Sequence, residues 1–597
     1  MDAVRARARF YRTIAIVLSL GLSATASSLF IQFAATNGLD ALDLVRLALI
    51  AISTLWLGWG ASQSVVGLLY RPRVHDNREV AERVRGRTAI LVPIYNEDPV
   101  ETFSRVLAMD RSIARQGMTG LFDFAILSDT RDAQTARAEE SWFARLIEES
   151  GGKGRMFYRR RAENTGKKAG NIEDFITRSG GAYEFSLILD ADSLMDGATI
   201  VEMARRMEAE PWLGLLQTLP RIINAHSMFG RAVQFSASFF SPVFARGIAL
   251  LAGHEGPFWG HNAMIRTQAF ASSCGLPVLS GKPPFGGHVL SHDYVEAALL
   301  ARNGWIVRLD TDLEGSFEEG PDNLVEFAKR DRRWCQGNLQ HTKLLGAPGL
   351  SGWSRFVFVQ GILAYISSPI WAAFLILSLI APYFAPPPDY FPEPYQLFPV
   401  FPDDQTSKAI TLLVGIFGLL ILPKLLILIQ AIVSGRVKRH GGAGAATASV
   451  LVEIVLSSII APVMLLFQTR SVFQVLTGAD GGWPATRRGS QQLPFADAWM
   501  ASRTMVLIGT VMLAGAAYFT PMILFWLVPV AGPMVIAPVL IWFSSKPMAG
   551  PIFLAPEEGE RSPIVAERDA ILASWSGVRA EPDTRSHALR EGAPTHA

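Results

Sequence analysis

Two carboxylates separated by one small residue close an apolar run at Phe185-Ser186-Leu187-Ile188-Leu189-Asp190-Ala191-Asp192. An apolar stretch this short, bounded by polar residues, predicts a buried parallel strand. In an open α/β sheet, ligands bind beyond the carboxyl ends of the strands, so Asp190 and Asp192 stand where a ligand would. Hard oxygen donors at a strand end suit Mg²⁺ or Mn²⁺ held jointly with substrate phosphates. Taken alone, Asp-x-Asp is a common solvated turn. Its company along the chain argues for more.

Three stretches converge on the same predicted sheet edge. Pro93-Ile94-Tyr95-Asn96-Glu97 closes an opening strand with polar groups, and Ser128-Asp129-Thr130 closes the next. Asp129 there can accept hydrogen bonds from a nucleobase or ribose. Asn164-Thr165-Gly166-Lys167-Lys168-Ala169-Gly170-Asn171 puts two cations at a glycine-flanked helix start, a good seat for a diphosphate. Each alone is ordinary loop or capping chemistry. Downstream, Asp293 in Ser291-His292-Asp293-Tyr294 is either a helix N-cap or a carboxylate base. Lys329-Arg330-Asp331-Arg332-Arg333-Trp334 packs four cations against an aromatic ring. A solvated face is the ordinary explanation, but a flat ring beside cations suits a sugar next to a phosphate.

The elements that must position these residues follow from periodicity. Strands are expected at 88–95, 122–128, 155–160, 185–190 and 213–218, with helical patterns at 100–116 and 133–149. Strands alternating with helices predict a mainly parallel, doubly wound sheet over about 72–345. The rest of the chain is greasy. Of its 597 residues, 50% are hydrophobic and only 18% charged, with a mean hydropathy of +0.25, which points to a membrane. A net charge of +2 gives no electrostatic case for nucleic acid. Two cysteines, Cys274 and Cys335, exclude a disulfide framework and suit a reducing compartment.

Membrane spans are expected at 13–33, 47–69, 356–383, 410–434, 504–528 and 530–545. Arg5, Arg7, Arg9 and Arg12 precede the first span, and Arg71 and Arg73 follow the second. The positive-inside rule therefore places the N-terminus and the soluble domain in the cytoplasm. Residues 385–404 hold no Lys or Arg, as an outside loop should. The run 448–476 is read as a helix along the cytoplasmic membrane surface, since Glu453 and Pro462 interrupt it and both flanks are cationic. A loop from 478 to 492, with Gly481-Gly482-Trp483 and Arg487-Arg488, would follow as a lid. The tail beyond 546 is expected to be cytoplasmic and mostly disordered, with one short helix near 565–576.

Asp129, Asp190-Ala191-Asp192, Ser291-His292-Asp293 and Arg330-Asp331-Arg332-Arg333-Trp334 resemble the ordered signature of processive family 2 glycosyltransferases, which include cellulose, chitin and hyaluronan synthases. Their usual signatures are Asp-x-Asp, Thr-Glu-Asp and Gln-x-x-Arg-Trp. Here Ser-His-Asp replaces the second, and Arg330 stands where Gln is usual. Phe258-Trp259-Gly260-His261-Asn262, Gly286-Gly287-His288 and Glu314-Gly315-Ser316-Phe317-Glu318-Glu319 are similar to one branch, the synthases of the glucose backbone of osmoregulated periplasmic glucans.

The resemblance implies a fold, an activity and a set of roles. The fold would be an α-helical transmembrane protein with a cytoplasmic α/β glycosyltransferase A-type domain. The activity would be inverting transfer of glucose from UDP-glucose to a growing β-glucan, β-1,2-linked in this branch, with export of the chain to the periplasm. By similarity Asp129 holds uracil or ribose, Asp190 the ribose-diphosphate side, and Asp192 the cation, Mg²⁺ or Mn²⁺. Lys168, Arg330 and Arg333 serve the diphosphate, Asp293 is the base, and Trp334 is the acceptor platform. His261 lines the channel mouth or is structural. The setting would be the bacterial inner membrane, with both termini cytoplasmic. Beyond donor, glucan acceptor and lipid bilayer, the resemblance suggests acyl carrier protein and periplasmic glucan-modifying proteins as partners, though no residues mark a site for either. Other readings are another polysaccharide synthase, a lipid-linked sugar transferase, or a transporter that senses nucleotide sugars.

Overall fold

The computed structural model describes residues 2–35, 39–70, 84–384, 390, 395–399, 406–479 and 492–578. Two long apolar helices, α1 (Asp2–Ala34) and α2 (Ala41–Leu69), pack side by side and lead into an α/β domain. Its strands are β1 (Thr88–Ile94), β2 (Phe122–Ser128), β3 (Met156–Arg160), β4 (Phe185–Ile188), β5 (Leu194–Met195), β6 (Leu213–Gln217), β7 (Arg221–Ile223), β8 (Ala263–Arg266), β9 (Ile306–Leu309) and β10 (Ser316–Glu319). Helices α3 (Pro99–Arg115), α4 (Ala133–Ser150), α5 (Lys167–Ser179), α6 (Gly197–Ala209), α7 (Met228–Phe239), α8 (Ser241–Ala252), α9 (Thr267–Ser273), α10 (His292–Arg302) and α11 (Leu324–Gln340) join them.

Seven strands form the main sheet in the order β3-β2-β1-β4-β8-β6-β9. All pairs are parallel except those made by β8, which runs antiparallel to both neighbours. The mainly parallel sheet expected from the sequence is thus present, with one reversed strand inserted beside the central one. A small second sheet, β5-β10-β7, sits at the carboxyl edge. The central strands are near-continuous apolar runs because both faces are covered. Phe185, Leu187 and Ile188 are all at most 1% exposed, and burying each side chain stabilises the fold by about 1.5–3 kcal/mol. Helices α3, α4 and α6 pack on one face, and α5, α9 and α10 on the other.

The chain then enters α12 (Gly352–Phe384), α13 (Thr406–Val433), α14 (Gly442–Leu476) and α15 (Phe495–Phe519). Next come α16 (Pro521–Val535), α17 (Ala537–Ser544), α18 (Pro556–Gly559) and α19 (Pro563–Val578). Among the described residues six helices are long and apolar enough to cross a membrane: α1, α2, α12, α13, α14 and α15. The apolar run read as 504–528 is divided at Thr520, because Pro521 lacks the N–H that would continue α15. Helices α16 and α17 then form a pair bent by 56°. The proposed lid residues Gly481, Gly482, Trp483, Arg487 and Arg488 lie outside the described residues.

Domain and bundle are joined by a feature the sequence did not announce. Helices α7 and α8 make an elbow bent by 47°, whose Phe235, Phe239 and Phe240 pack with Ile427, Leu428 and Ala431 of α13. Helix α8 lies against α2 at glycine contacts. A Cβ on Gly67 would strike the carbonyl of Val243, and one on Gly247 would strike that of Gln63. Arg12 of α1 caps the end of α8, donating from Nε to Leu251 O at 2.6 Å and from Nη2 to Ala252 O at 2.9 Å. The helix expected near 565–576 is present as α19, 16 residues long, and beyond expectation it packs on α3 and buries Trp575 completely in the domain core.

Glu453, which argued for a surface-lying segment, is paired. Lys424 Nζ of α13 donates to its two carboxylate oxygens at 2.8 and 2.7 Å. Breaking such a pair leaves an uncompensated charge among apolar helices. Lys424→Met should therefore cost about 3–5 kcal/mol of stability, while the double variant Lys424→Met/Glu453→Leu recovers most of it. Thermal unfolding of the detergent-solubilised protein checks this, and equal loss in single and double variants would contradict it.

Candidate active site

The site lies at the carboxyl edge of the main sheet, where β1, β2 and β4 end together. After β4 the chain turns sharply: Asp190 N donates to Ser193 Oγ at 2.9 Å, and Ser193 N donates back to Asp190 O at 3.0 Å. That turn holds Asp190 half-open and Asp192 at 8% exposure. Beneath it Arg105 of α3 donates to Ala191 O at 3.3 Å and to Glu319 at 2.8 Å. Glu318 and Glu319 are neighbours on β10 and point to opposite faces, as strand residues must. Glu319 faces the buried Arg105, while Glu318 faces the site, with His261 Nε2 at 3.5 Å. Burial raises the pKa of Glu318; His261 opposes the shift and Asp192 adds to it.

Lys168, in the first turn of α5, ties the site together. Its ammonium pairs with Asp190 and also donates to Gly260 O at 2.7 Å. Gly260 has φ +83°, a conformation that favours glycine, and a Cβ there would sit 3.5 Å from the Asp293 side chain. Asp190, Lys168, Gly260 and Asp293 therefore form one continuous line. Asp293 opens α10, and burial raises its pKa, opposed by His292. Burial alone would lower the pKa of His292, but Glu296 at 2.9 Å outweighs that and the net direction is upward.

Asp129 ends β2 with its carboxylate gripped by Arg161, at 2.8 Å from Nε and 2.7 Å from Nη2. Arg161 also donates to Thr165 O at 3.1 Å and Lys167 O at 3.0 Å, fixing the loop that delivers Lys168. On α11 the Arg330 guanidinium stacks 4.6 Å over the Trp334 ring, which is 44% exposed, and Arg333 is half-buried between them in sequence. Arg330 lies near enough to Glu318 to oppose its raised pKa. Asp331 points away from the site and accepts from Tyr365 Oη at 3.2 Å and Gln468 Nε2 at 3.1 Å, tying α11 to α12 and α14.

Beside Asp293 opens a cavity of about 310 Å³ between domain and bundle. Phe258, Trp259 and Tyr294 line it from the domain, Trp56 and Gln63 from α2, and Trp353 and Gln360 from α12. Aromatic faces interleaved with amides are what a sugar chain requires of its container. His261, expected at a channel mouth, is not among its walls and turns instead to Glu318.

All nine residues singled out from the sequence lie on this edge or on α11 beside it. Sequence reasoning missed Glu318, Arg161 and the Glu296 partner of His292. Arg161 ends a run of three arginines directly after a predicted strand, and that run was the available signal. No cluster of three or more His, Cys, Asp or Glu with metal-holding geometry occurs among the described residues. The donor set at Asp190 and Asp192, with Glu318 destabilised by their charge, fits a hard cation that completes its shell with water and phosphate oxygens.

Fold and site together define a glycosyltransferase with an A-type α/β domain built onto apolar membrane helices. The sequence profile of glycosyl transferase family group 2 matches residues 187–422. A protein named glucans biosynthesis glucosyltransferase H from Cereibacter sphaeroides is 59% identical over 564 residues, covering 94% of this chain and 95% of that protein. Its namesake from Caulobacter vibrioides is 41% identical over 581 residues, covering 94% and 86%. The chain belongs to the glucans biosynthesis glucosyltransferase H family and is a glucosyltransferase of glucan synthesis. Among solved structures, a mannosyltransferase from Pyrobaculum calidifontis in complex with GDP-Man and Mn²⁺ overlays with a TM-score of 0.43 at 14% identity, covering 70% of this chain and 98% of that one.

His292 bears on the pH dependence of this site. Were Asp293 to serve as a base, it would work only when deprotonated, and activity would fall as pH drops through its pKa. His292 holds the Asp293 pKa down, and removing that cation lets burial push it higher. His292→Asn should move the acid limb of the kcat profile to higher pH. An unmoved limb, or one displaced to lower pH, would refute the coupling.

Proposed function

We propose that this protein transfers glucose from UDP-glucose, with inversion, to the end of a growing β-glucan and passes the chain outward across the inner membrane. The observation that carries the proposal is the unbroken line from Asp190 through Lys168 and Gly260 to Asp293, ending at an aromatic cavity between domain and bundle. That arrangement supports a reading in which a diphosphate binds at Asp190 and Lys168 and a carboxylate base stands at Asp293.

In this reading Asp129 takes the ribose or uracil, and Lys168, Arg330 and Arg333 take the diphosphate. Asp190 and Asp192 would hold Mg²⁺ or Mn²⁺, which offsets the charge developing on the departing diphosphate. Asp293 removes the proton from the acceptor hydroxyl as its oxygen attacks the anomeric carbon. The bond to the diphosphate breaks on the opposite face, and inversion follows from a single displacement. Trp334 and the cavity aromatics hold the acceptor sugars. Family membership favours a β-1,2 linkage. The cationic flanks of α1 and α2 favour a cytoplasmic N-terminus and a cytoplasmic site, where nucleotide sugars are made.

Purified protein incubated with UDP-glucose and Mg²⁺ should release UDP and form polymer, whose linkage analysis gives the bond. UDP release without polymer would indicate a lipid acceptor instead, and binding without turnover a sensor. Asp293→Asn should abolish polymer synthesis while UDP-glucose affinity stays within a few-fold, because the base acts on the acceptor. General bases contribute about 10²-fold or more, so a variant keeping roughly a tenth of wild-type turnover would exclude Asp293 from that role.

Trp334→Ala should impair acceptor use more than donor binding, leaving hydrolysis of UDP-glucose to free glucose. An unchanged polymer yield would reduce Trp334 to packing.

A further inference from the structure

Beneath the donor edge lies a carboxylate that neither the sequence motifs nor the reaction accounts for. Glu139, on α4, is 0% exposed. Three hydroxyls donate to it: Ser128 Oγ at 2.7 Å, Thr130 Oγ1 at 2.5 Å and Tyr158 Oη at 2.8 Å. A buried carboxylate bonded to three hydroxyls is well satisfied in a dry setting. Two of those three hydroxyls belong to the residues on either side of Asp129.

The polarity of the surrounding bonds follows from Glu139. With its proton committed to the carboxylate, Thr130 Oγ1 must accept on its other side, and it takes the backbone N–H of Asn96 at 2.9 Å. Ser128 Oγ likewise accepts from Thr130 N at 3.2 Å. Asn96 has φ +58° and presents Oδ1 to the N–H groups of Arg131 and Asp132, both at 3.3 Å. The ends of β1 and β2 are thereby locked together around Asp129. Its backbone N–H donates to Ile94 O at 2.9 Å, and its carbonyl accepts from Asn164 Nδ2 at 2.7 Å.

We infer that Glu139 is a positioning residue for donor binding, holding Ser128 and Thr130 so that Asp129 and its Arg161 partner meet the nucleoside of UDP-glucose. The inference rests on the proposed role of Asp129. Glu139 itself is sealed beneath the sheet edge and touches no ligand. Replacing it with Gln puts an N–H₂ where a hydroxyl donates, so one link must reverse and that hydroxyl's proton loses its acceptor beside Asp129.

The test is steady-state kinetics on the full-length protein with UDP-glucose as the varied substrate. Glu139→Gln and Thr130→Val should each raise the donor KM roughly tenfold with kcat within about twofold, the scale of one lost hydrogen bond to a charged group. Tyr158→Phe removes a bond to the same carboxylate but leaves both the Ser128 and the Thr130 hydroxyls bonded to it, so its donor KM should stay within about twofold. A merely structural role would treat all three alike. Equal effects across the three, or a fall in kcat at constant KM, would overturn the inference. If Glu139→Gln accumulates no protein, the Thr130→Val and Tyr158→Phe pair makes the same comparison. Asp129→Asn separates the two levels. A donor KM unmoved by Asp129→Asn removes the nucleoside role and the inference with it. A KM raised by Asp129→Asn but not by Glu139→Gln or Thr130→Val removes the inference alone.

Discussion

One ammonium group, that of Lys168, touches both halves of the site. It pairs with Asp190 at the end of the central strand and holds the carbonyl of Gly260, where an added Cβ would meet Asp293 at 3.5 Å. Carboxylates gathered at a strand edge repel one another, and a buried charge without partners is expensive. The cation offsets that repulsion at Asp190 while its hydrogen bond to Gly260 fixes the backbone near Asp293. Much of the domain serves this contact. Arg161 fastens the loop that delivers Lys168, Arg105 supports the Asp190–Asp192 turn, and the positive φ of Gly260 lets the chain pass close to Asp293.

What the sequence revealed follows from which interactions are local. Strand β2 was read at its observed limits, Phe122–Ser128, because a short, largely apolar run closed by Ser128 and Asp129 reads as a buried strand. The carboxylates Asp129, Asp190, Asp192 and Asp293 stood out by their position at element ends. Strand β8 did not: its four residues carry no readable period, and its antiparallel partners lie 77 and 48 positions away, as in the pairs Leu187–Met264 and Leu216–Met264. The small sheet β5-β10-β7 escaped notice for the same reason. Glu139, Arg161 and Glu318 matter through partners that a linear reading cannot supply. The α7–α8 elbow was hidden by its composition, apolar enough for a membrane yet folded back on the domain.

The junction between domain and bundle is chemically mixed. Aromatic and glycine contacts between α2, α8 and α13 set the distance, while Arg12 and Asp331 fix orientation with directional bonds. Close backbone approach at Gly67 and Gly247 leaves little room for sliding. Asp331 has a further effect, since α11 carries Trp334 one turn from it. The position of Trp334 is therefore referenced to α12 and α14 rather than to the main sheet alone.

Helix α19 has a consequence for how the protein is made. Ile564, Val565, Ile571 and Trp575 belong to the same apolar core as Phe103, Leu146 and Met203, and Arg568 lies 3.6 Å from Glu319 beneath the site. Those partners leave the ribosome hundreds of residues earlier, before the later helices of the bundle exist. The catalytic domain therefore waits through the synthesis and insertion of everything downstream with one side of its core open. Only when the chain is nearly finished does its last described helix close that side. A polypeptide cut before α19 would carry Asp129, Asp190, Asp192 and Asp293 while the core beneath them stayed open on one side.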